Sequence, residues 1–343
     1  MHQNETASAC CIHPTGVHVP DLLQHCTLTA HDADHLARHL TGWDQVYDQI
    51  TCGPFTGELD ELRMPDVQIF RERMNQVVHQ VCRVRPDAMW FGLTLDGDAS
   101  RINGLRVETS SVMARPGNRQ FELVTPANHD SYGIVVSRGL LEEGMRRNGC
   151  AAALEVLEGA EILCVEPAAR AAMLRMLSKL LSEADVSKDM DDFCVQQAQN
   201  RVVDSLLVML GAAHVEACLL KSRQRRRRIV AKARAYLFAH RDRAVSIPEL
   251  CDHTHVSRRT LQTCFDDVLG ISPVVYLRRL RLNGIRRMLL EDVAETRGIG
   301  SVAADWGIDN FSQFSSDYKK LFGKSPSAYV KMARRMGMPR EVT

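Results

Sequence analysis

Two short runs near the carboxyl terminus constrain the fold most: Arg258-Arg259-Thr260-Leu261-Gln262 and, about 45 residues on, Gly307-Ile308-Asp309-Asn310-Phe311-Ser312-Gln313-Phe314. Each reads as the third helix of a helix-turn-helix with its lead-in. Ser257 can cap a helix over 258–267, its hydroxyl accepting from a free amide of the first turn. Leu261 and Phe265 lie four apart and share an inward face, which leaves Arg258, Arg259, Gln262 and Thr263 on other faces. Upstream, 229–240 predicts a first helix, and Ser246 with Pro248 starts a second that ends near 253, proline being tolerated in a first turn. Downstream, Ser272-Pro273 opens a long helix to about 290. Ser301 begins a short helix through Trp306, Gly307 supplies a tight turn, and 310–322 forms the second candidate recognition helix.

Charge separates along the chain. Residues 221–343 hold 25 Lys+Arg against 12 Asp+Glu, a net of +13, while the first 220 hold 18 against 30, a net of −12. A basic half is steered toward a polyanion that an acidic half repels, so contacts to nucleic acid belong to the C-terminal third. From a helix in the major groove, Arg can bond guanine and Gln adenine with two hydrogen bonds each. The candidate DNA-binding residues are Ser257, Arg258, Arg259, Gln262 and Thr263 in the first run and Asp309, Asn310, Ser312, Gln313 and Ser315 in the second. Arg226 and Arg227, in the basic run 221–228, are candidate phosphate contacts.

Ile271-Ser272-Pro273, Gly307 with Phe311, Phe314, Tyr318 and Lys319, and the closing Phe322-Gly323-Lys324-Ser325-Pro326-Ser327-Ala328-Tyr329 resemble the AraC/XylS-type transcriptional regulators over about 100 residues. The resemblance implies two helix-turn-helix units, joined by a long helix, that enter adjacent major grooves of double-stranded promoter DNA. It also implies activation of transcription through contact with RNA polymerase. Ile308 and Asp309-Asn310 depart from the family's commoner Phe and Ser/Asp at the second turn.

The N-terminal part reads differently. Residues 1–35 form a polar leader with six histidines, and 37–50 has Leu40, Trp43, Val46 and Tyr47 at helical spacing. From 57–62 to 131–136 the rhythm is alternating, broken at Asp96-Gly97-Asp98, Pro116-Gly117 and Pro126, which predicts many short strands and an all-β barrel of the jelly-roll kind. Helical texture returns at 138–148, 168–183 and 193–219, where Val202, Val203, Leu206, Leu207 and Met209 offer an apolar face to the domain core or to a homodimer partner. The expected fold is α+β: a leader (1–35), a jelly-roll-like sensor barrel with helices that also dimerises (36–220), a basic linker (221–228) and an all-α tandem helix-turn-helix domain (229–335).

Eleven scattered cysteines without a CxxC pair suggest reduced thiols, and neither a signal-like start nor a run of 18 apolar residues is present, so a cytoplasmic protein without a membrane partner is expected. No nucleophile elbow, GxGxxG or Walker loop occurs, and 55–125 holds only His79 where a metal-holding barrel needs several histidines. The expectation is a regulator without a metal rather than an enzyme.

Trp43-Asp44-Gln45-Val46-Tyr47-Asp48-Gln49, Gly57-Glu58, the run Asp66 to Glu72, Trp90-Phe91-Gly92, Arg115-Pro116-Gly117 and Phe121-Glu122-Leu123 resemble the sensor domain of ethanolamine utilization operon regulators. That resemblance implies a response to ethanolamine with adenosylcobalamin, although the Asp-x-His-x-x-Gly pattern of a cobalamin-ligating histidine is absent. Trp90 and Phe91 could present ring faces to an amine, with Glu72 or Glu122 supplying charge, while Arg71 and Arg115 would suit a carboxylate or fatty acid. The sequence leaves the class of this small-molecule effector open, with a ligand-independent DNA-binding protein as the further alternative. Ligand in the barrel is expected to alter how the two reading units are presented, through a dimer interface within 168–219.

Overall fold

The computed structural model describes residues 22–95, 100–149, 153–184, 191–211, 220–290 and 293–335. Most of the expected leader (1–21), the Asp96-Gly97-Asp98 turn and the end of the third expected helix (212–219) lie outside the described residues.

The alternating segments become strands: β1 (Gln24–Ala30), β2 (Trp43–Gln49), β3 (Gly57–Arg63), β4 (Val67–Met74), β5 (Val78–Val84), β6 (Ala88–Thr94), β7 (Arg101–Ile102), β8 (Leu105–Arg106), β9 (Ser111–Pro116), β10 (Phe121–Thr125), β11 (His129–Ser137) and β12 (Ile162–Cys164). They pair antiparallel in two sheets, ordered β1-β3-β4-β11-β6-β9-β12 and β2-β5-β10-β7-β8. This corrects the barrel expectation. Among the described residues, β1 and β12 end one sheet and β2 and β8 the other, so the strands form a two-sheet sandwich that does not close.

Residues 37–50 are also not one helix. Asp32 caps α1 (Ala33–His39), whose amide at His35 it receives at 3.0 Å, and the chain turns at Gly42 (φ 73) into β2. Pairing with β5 settles the conformation, and Val46, the third apolar residue of the apparent helical face, points to solvent. Helical spacing over so few residues was coincidence, overridden by strand partners.

The remaining helices are α2 (Arg138–Arg147), α3 (Ala153–Gly159), α4 (Pro167–Glu183), α5 (Asp192–Leu210), α6 (Leu220–Ala239), α7 (Ile247–Thr254), α8 (Arg258–Leu269), α9 (Pro273–Met288), α10 (Val293–Ala304), α11 (Phe311–Phe322) and α12 (Pro326–Arg335). The basic run 221–228 lies inside α6 and is helical, since it contains neither Gly nor Pro and Arg propagates a helix well.

Period-two alternation sorts the cores into layers. One core joins the outer face of the seven-stranded sheet to α2, α4 and α5 through Phe91, Ile134, Leu177, Val202, Val203 and Leu206. A second lies between the sheets and contains Tyr47, Phe70, Trp90, Phe121 and Leu123. The other face of the five-stranded sheet meets the helical half, where Ile50 and Val124 enter a third core with Val230, Leu250, Leu261, Phe265 and Tyr276. The fourth core, with Ile285, Trp306, Phe314, Tyr318 and Phe322, draws among the described residues on the helical half. Helix α9 spans these last two, with Tyr276, Leu277 and Leu280 in the third core and Leu282, Ile285 and Leu289 in the fourth.

Candidate nucleic-acid interface and ligand cavity

Helices α8 and α11 are built alike. Ser257 accepts from the Thr260 amide at 3.1 Å and Asn310 from the Gln313 amide at 3.0 Å, so each helix begins with a side-chain cap. Each then places a glutamine against an aspartate one turn on: Gln262 donates to Asp266 at 3.0 Å and Gln313 to Asp317 at 2.9 Å. Each ends at a left-handed glycine, Gly270 (φ 72) or Gly323 (φ 74), followed by a serine that caps the next helix ahead of a proline. Gly-x-Ser-Pro occurs at both sites in the sequence, and comparing the two runs position by position would have exposed the repeat.

In α8, Leu261 and Phe265 are buried, while Arg258, Arg259 and Thr263 are exposed and Gln262 is half-buried. Neither guanidinium of Arg258 and Arg259 has an ion-pair partner among the described residues, so both can reach a duplex without breaking a bond. The Thr263 hydroxyl donates back to the Arg259 carbonyl at 3.0 Å. In α11, Phe314 and Tyr318 are buried, Ser312 and Gln313 are exposed and Ser315 is half-buried, while Asp309 is exposed just ahead of the Asn310 cap. Ser257 caps α8 as expected, and Asn310, expected as an exposed DNA contact, is engaged as the cap of α11.

The two basic-run candidates are also engaged. Arg227 reaches Glu161 of the β-rich half at 3.2 Å, and Arg226 pairs with Asp267 of α8. Arg227 therefore serves the contact between the halves, which sequence distance concealed.

Between the sheets lies a narrow, nearly filled cavity of about 20 Å³, lined by side chains that include Trp43, Tyr47, Phe70, Glu72, Gln80, Trp90 and His129. Trp43 meets Phe70, Trp90 and Phe121 edge-on at 5.7, 5.9 and 6.3 Å between ring centres, and Trp90 stacks on Phe121 at 4.9 Å. Tyr47 donates to the buried Glu72 carboxylate at 2.9 Å. Burial raises that carboxyl above the usual glutamate range, against the opposing influence of His129 and the hydrogen bonds from Tyr47 and Gln80. The Trp90 indole N–H has no hydrogen-bond partner among the described residues.

Two of the six expected ligand residues, Glu72 and Trp90, line this cavity. Phe91 follows Trp90 on β6 and so faces the helices. Arg71 points away from Glu72 and binds Asp130 with two hydrogen bonds, at 2.9 and 2.6 Å. Arg115 is tied to Glu161 at 2.9 Å. Glu122 faces the helical half, where it receives Arg234 of α6 and lies 3.3 Å from His79. Trp43, Tyr47 and Gln80 were missed because their strand was read as helical or their inward face depends on register. Adenosylcobalamin, with its corrin macrocycle and axial groups, is much larger than this cavity, and His129 there lies 2.9 Å from Ser131; the site does not fit that cofactor.

Residues 250–332 match the helix-turn-helix domain family. The chain is 33% identical over 99 residues to the probable thc operon regulatory protein of Rhodococcus erythropolis, covering 29% of this chain and 30% of that one. It is 39% identical over 79 residues to the HTH-type transcriptional activator RhaR of Pectobacterium atrosepticum, covering 23% and 27%. It is 26% identical over 163 residues to the XylDLEGF operon transcriptional activator of Pseudomonas putida, covering 47% and 49%. The chain thus spans less than half the length of each of these relatives. Among solved structures, the AraC-like transcriptional activator CuxR aligns over 82% of this chain and 98% of its own, at 14% identity and a TM-score of 0.41. The helix-turn-helix match and the named relatives support the AraC/XylS-type resemblance of the C-terminal part. No helix among the described residues is long and apolar enough to cross a membrane.

Proposed function

We propose that this chain is a sequence-specific, DNA-binding transcriptional regulator of AraC/XylS type, acting as an activator at promoter DNA under control of a small molecule held between its sheets. The reading is carried by one observation: α8 and α11 share cap, glutamine–aspartate pair and Gly-x-Ser-Pro exit inside a helix-turn-helix domain, so the domain holds two copies of one DNA-reading unit. Exposed Arg258 and Arg259 on the first and Ser312 and Gln313 on the second supply the base-reading groups. Homodimer formation and contact with RNA polymerase complete the proposal by resemblance to the family.

The cavity favours a ligand that brings a hydrogen-bond donor or a positive charge. Glu72 is a buried carboxylate among aromatic rings, while the arginines expected to hold an anion, Arg71 and Arg115, are paired with Asp130 and Glu161. Selection of bound sequences from random duplexes, followed by footprinting on the chain's own promoter region, tests the DNA reading. Recovery of two half-sites about one helical turn apart is expected, and recovery of no common sequence would overturn it.

A further inference from the structure

The β-rich half touches the helical half at one place where apolar packing accompanies the Arg234–Glu122 and Arg227–Glu161 ion pairs, and at a second place held by polar groups. At the first, Ile50 and Val124 are part of the same buried core as Leu261, Phe265 and Tyr276, so sheet and first reading unit share apolar packing. At the second, the contact is polar. Arg286, buried, lies 3.2 Å from Asp32 and 2.9 Å from Asp34. Arg287 lies 3.2 Å from Asp34 and 2.9 Å from Asp48. Tyr329 donates to Asp32. Asn283 closes both backbone groups of Gln49, accepting from its amide and donating to its carbonyl at 3.0 Å each. The Gly53 amide donates to the Leu321 carbonyl at 2.9 Å.

We infer that the first contact is a hinge and the second a latch, and that strand β2 joins the latch to the ligand cavity. Shared apolar surface is lost only at the cost of exposing it, and it has no alternative partner when the halves separate. Buried ion pairs are different: their attraction is offset by desolvation, and water takes back each charge when the contact opens. The latch therefore opens at lower cost than the hinge. On β2, Gln45 and Tyr47 line the cavity, while the next residues, Asp48 and Gln49, hold Arg287 and Asn283. A ligand that displaces Tyr47 from Glu72 moves the strand carrying Asp48. The inference rests on the cavity being a ligand site only for its signal, since the latch itself is a property of the free protein.

Amide exchange of the full-length free protein, read at single residues by fragmentation mass spectrometry, tests it. The Gln49 and Gly53 amides are bonded across the latch, whereas the Ile50 amide is bonded within the β-rich half to the Val77 carbonyl at 2.8 Å. Asp48→Asn should speed exchange at Gln49 and Gly53 by about tenfold or more and leave Ile50 and the central-strand residue Ile134 unchanged, which also certifies folding. Tyr329→Phe, a milder variant, should act in the same direction. Tyr47→Phe, which alters only a cavity hydroxyl, should also speed exchange at Gln49 and Gly53. Unchanged exchange at both amides in Asp48→Asn overturns the latch, and acceleration there without any in Tyr47→Phe overturns the coupling through β2. Loss of DNA or ligand binding leaves this readout intact, so failure of the regulator reading is distinguishable.

Discussion

Arg234 of α6 donates to Glu122 of β10 across the boundary between the two halves, both side chains largely withdrawn from water. Burial alone would raise the Glu122 carboxyl, but the His79 hydrogen bond and the Arg234 charge outweigh it and lower the pKa from 4.5 to about 2. A carboxyl lowered on folding adds stability that is fully present above its unfolded value and is lost as pH falls through the folded one. Acid should therefore weaken this contact progressively between about pH 4.5 and about pH 2. Glu122→Gln should cost on the order of 3 kcal/mol at neutral pH, because Arg234 stays buried, and should flatten the acid limb of a denaturation midpoint plotted against pH.

Glu72 has the opposite sign. Its carboxyl is raised by burial, so the folded state holds a proton that the unfolded state has released, and stability falls as pH rises from the ordinary glutamate value toward the raised one. Glu72→Gln should remove that decline and leave stability at neutral pH equal or higher. It should also abolish binding of a cationic or hydrogen-bond-donating ligand. Calorimetric titration against a metabolite panel, alongside urea denaturation at several pH values, checks both expectations.

Arg259 is exposed at the start of α8, and its guanidinium has no ion-pair partner among the described residues. Arg259→Ala should cost about 1–3 kcal/mol on the cognate site and much less on random duplex. Gln262→Ala should cost less, since the glutamine must first leave Asp266. Equal losses on both kinds of DNA would assign Arg259 to phosphate contact instead.

Arg227 is held by Glu161. Arg227→Ala should therefore leave the salt dependence of DNA binding unchanged, whereas removal of one phosphate contact lowers the slope by about 1. Binding isotherms across a series of salt concentrations give the slope directly.

Gly284 in α9 lies beneath Trp306, so closely that a Cβ there would come within 2.1 Å of the indole. Gly284→Ala should force the ring aside and cost about 1–3 kcal/mol, loosening the fourth core while sparing the first reading unit. A shift in Trp306 emission with unchanged binding to a half-site read by α8 is the expected result.

The sequence alone determined a strand-rich N-terminal part, a helical C-terminal part and several helix ends. Capping serines, glycine turns and prolines act within a few residues of themselves, so Ser246, Ser257, Gly270, Ser272 and Gly323 mark boundaries whatever surrounds them. The inward pair Leu261 and Phe265 was legible for the same reason: helical spacing fixes which residues share a face. Strand faces were harder to read. Trp90 and Phe91 are equally apolar neighbours, and only the position of β6 between a sheet and a helical layer decides which lines the cavity. Tertiary structure alone also decided the fate of the charges. The −12 and +13 halves suggested a DNA-binding part and a part kept apart from DNA, yet Asp32, Asp34, Asp48, Glu122 and Glu161 hold Arg286, Arg287, Arg234 and Arg227 across the boundary. Ion pairs between residues far apart in sequence leave no periodic trace, because their geometry is set by the packing of whole layers.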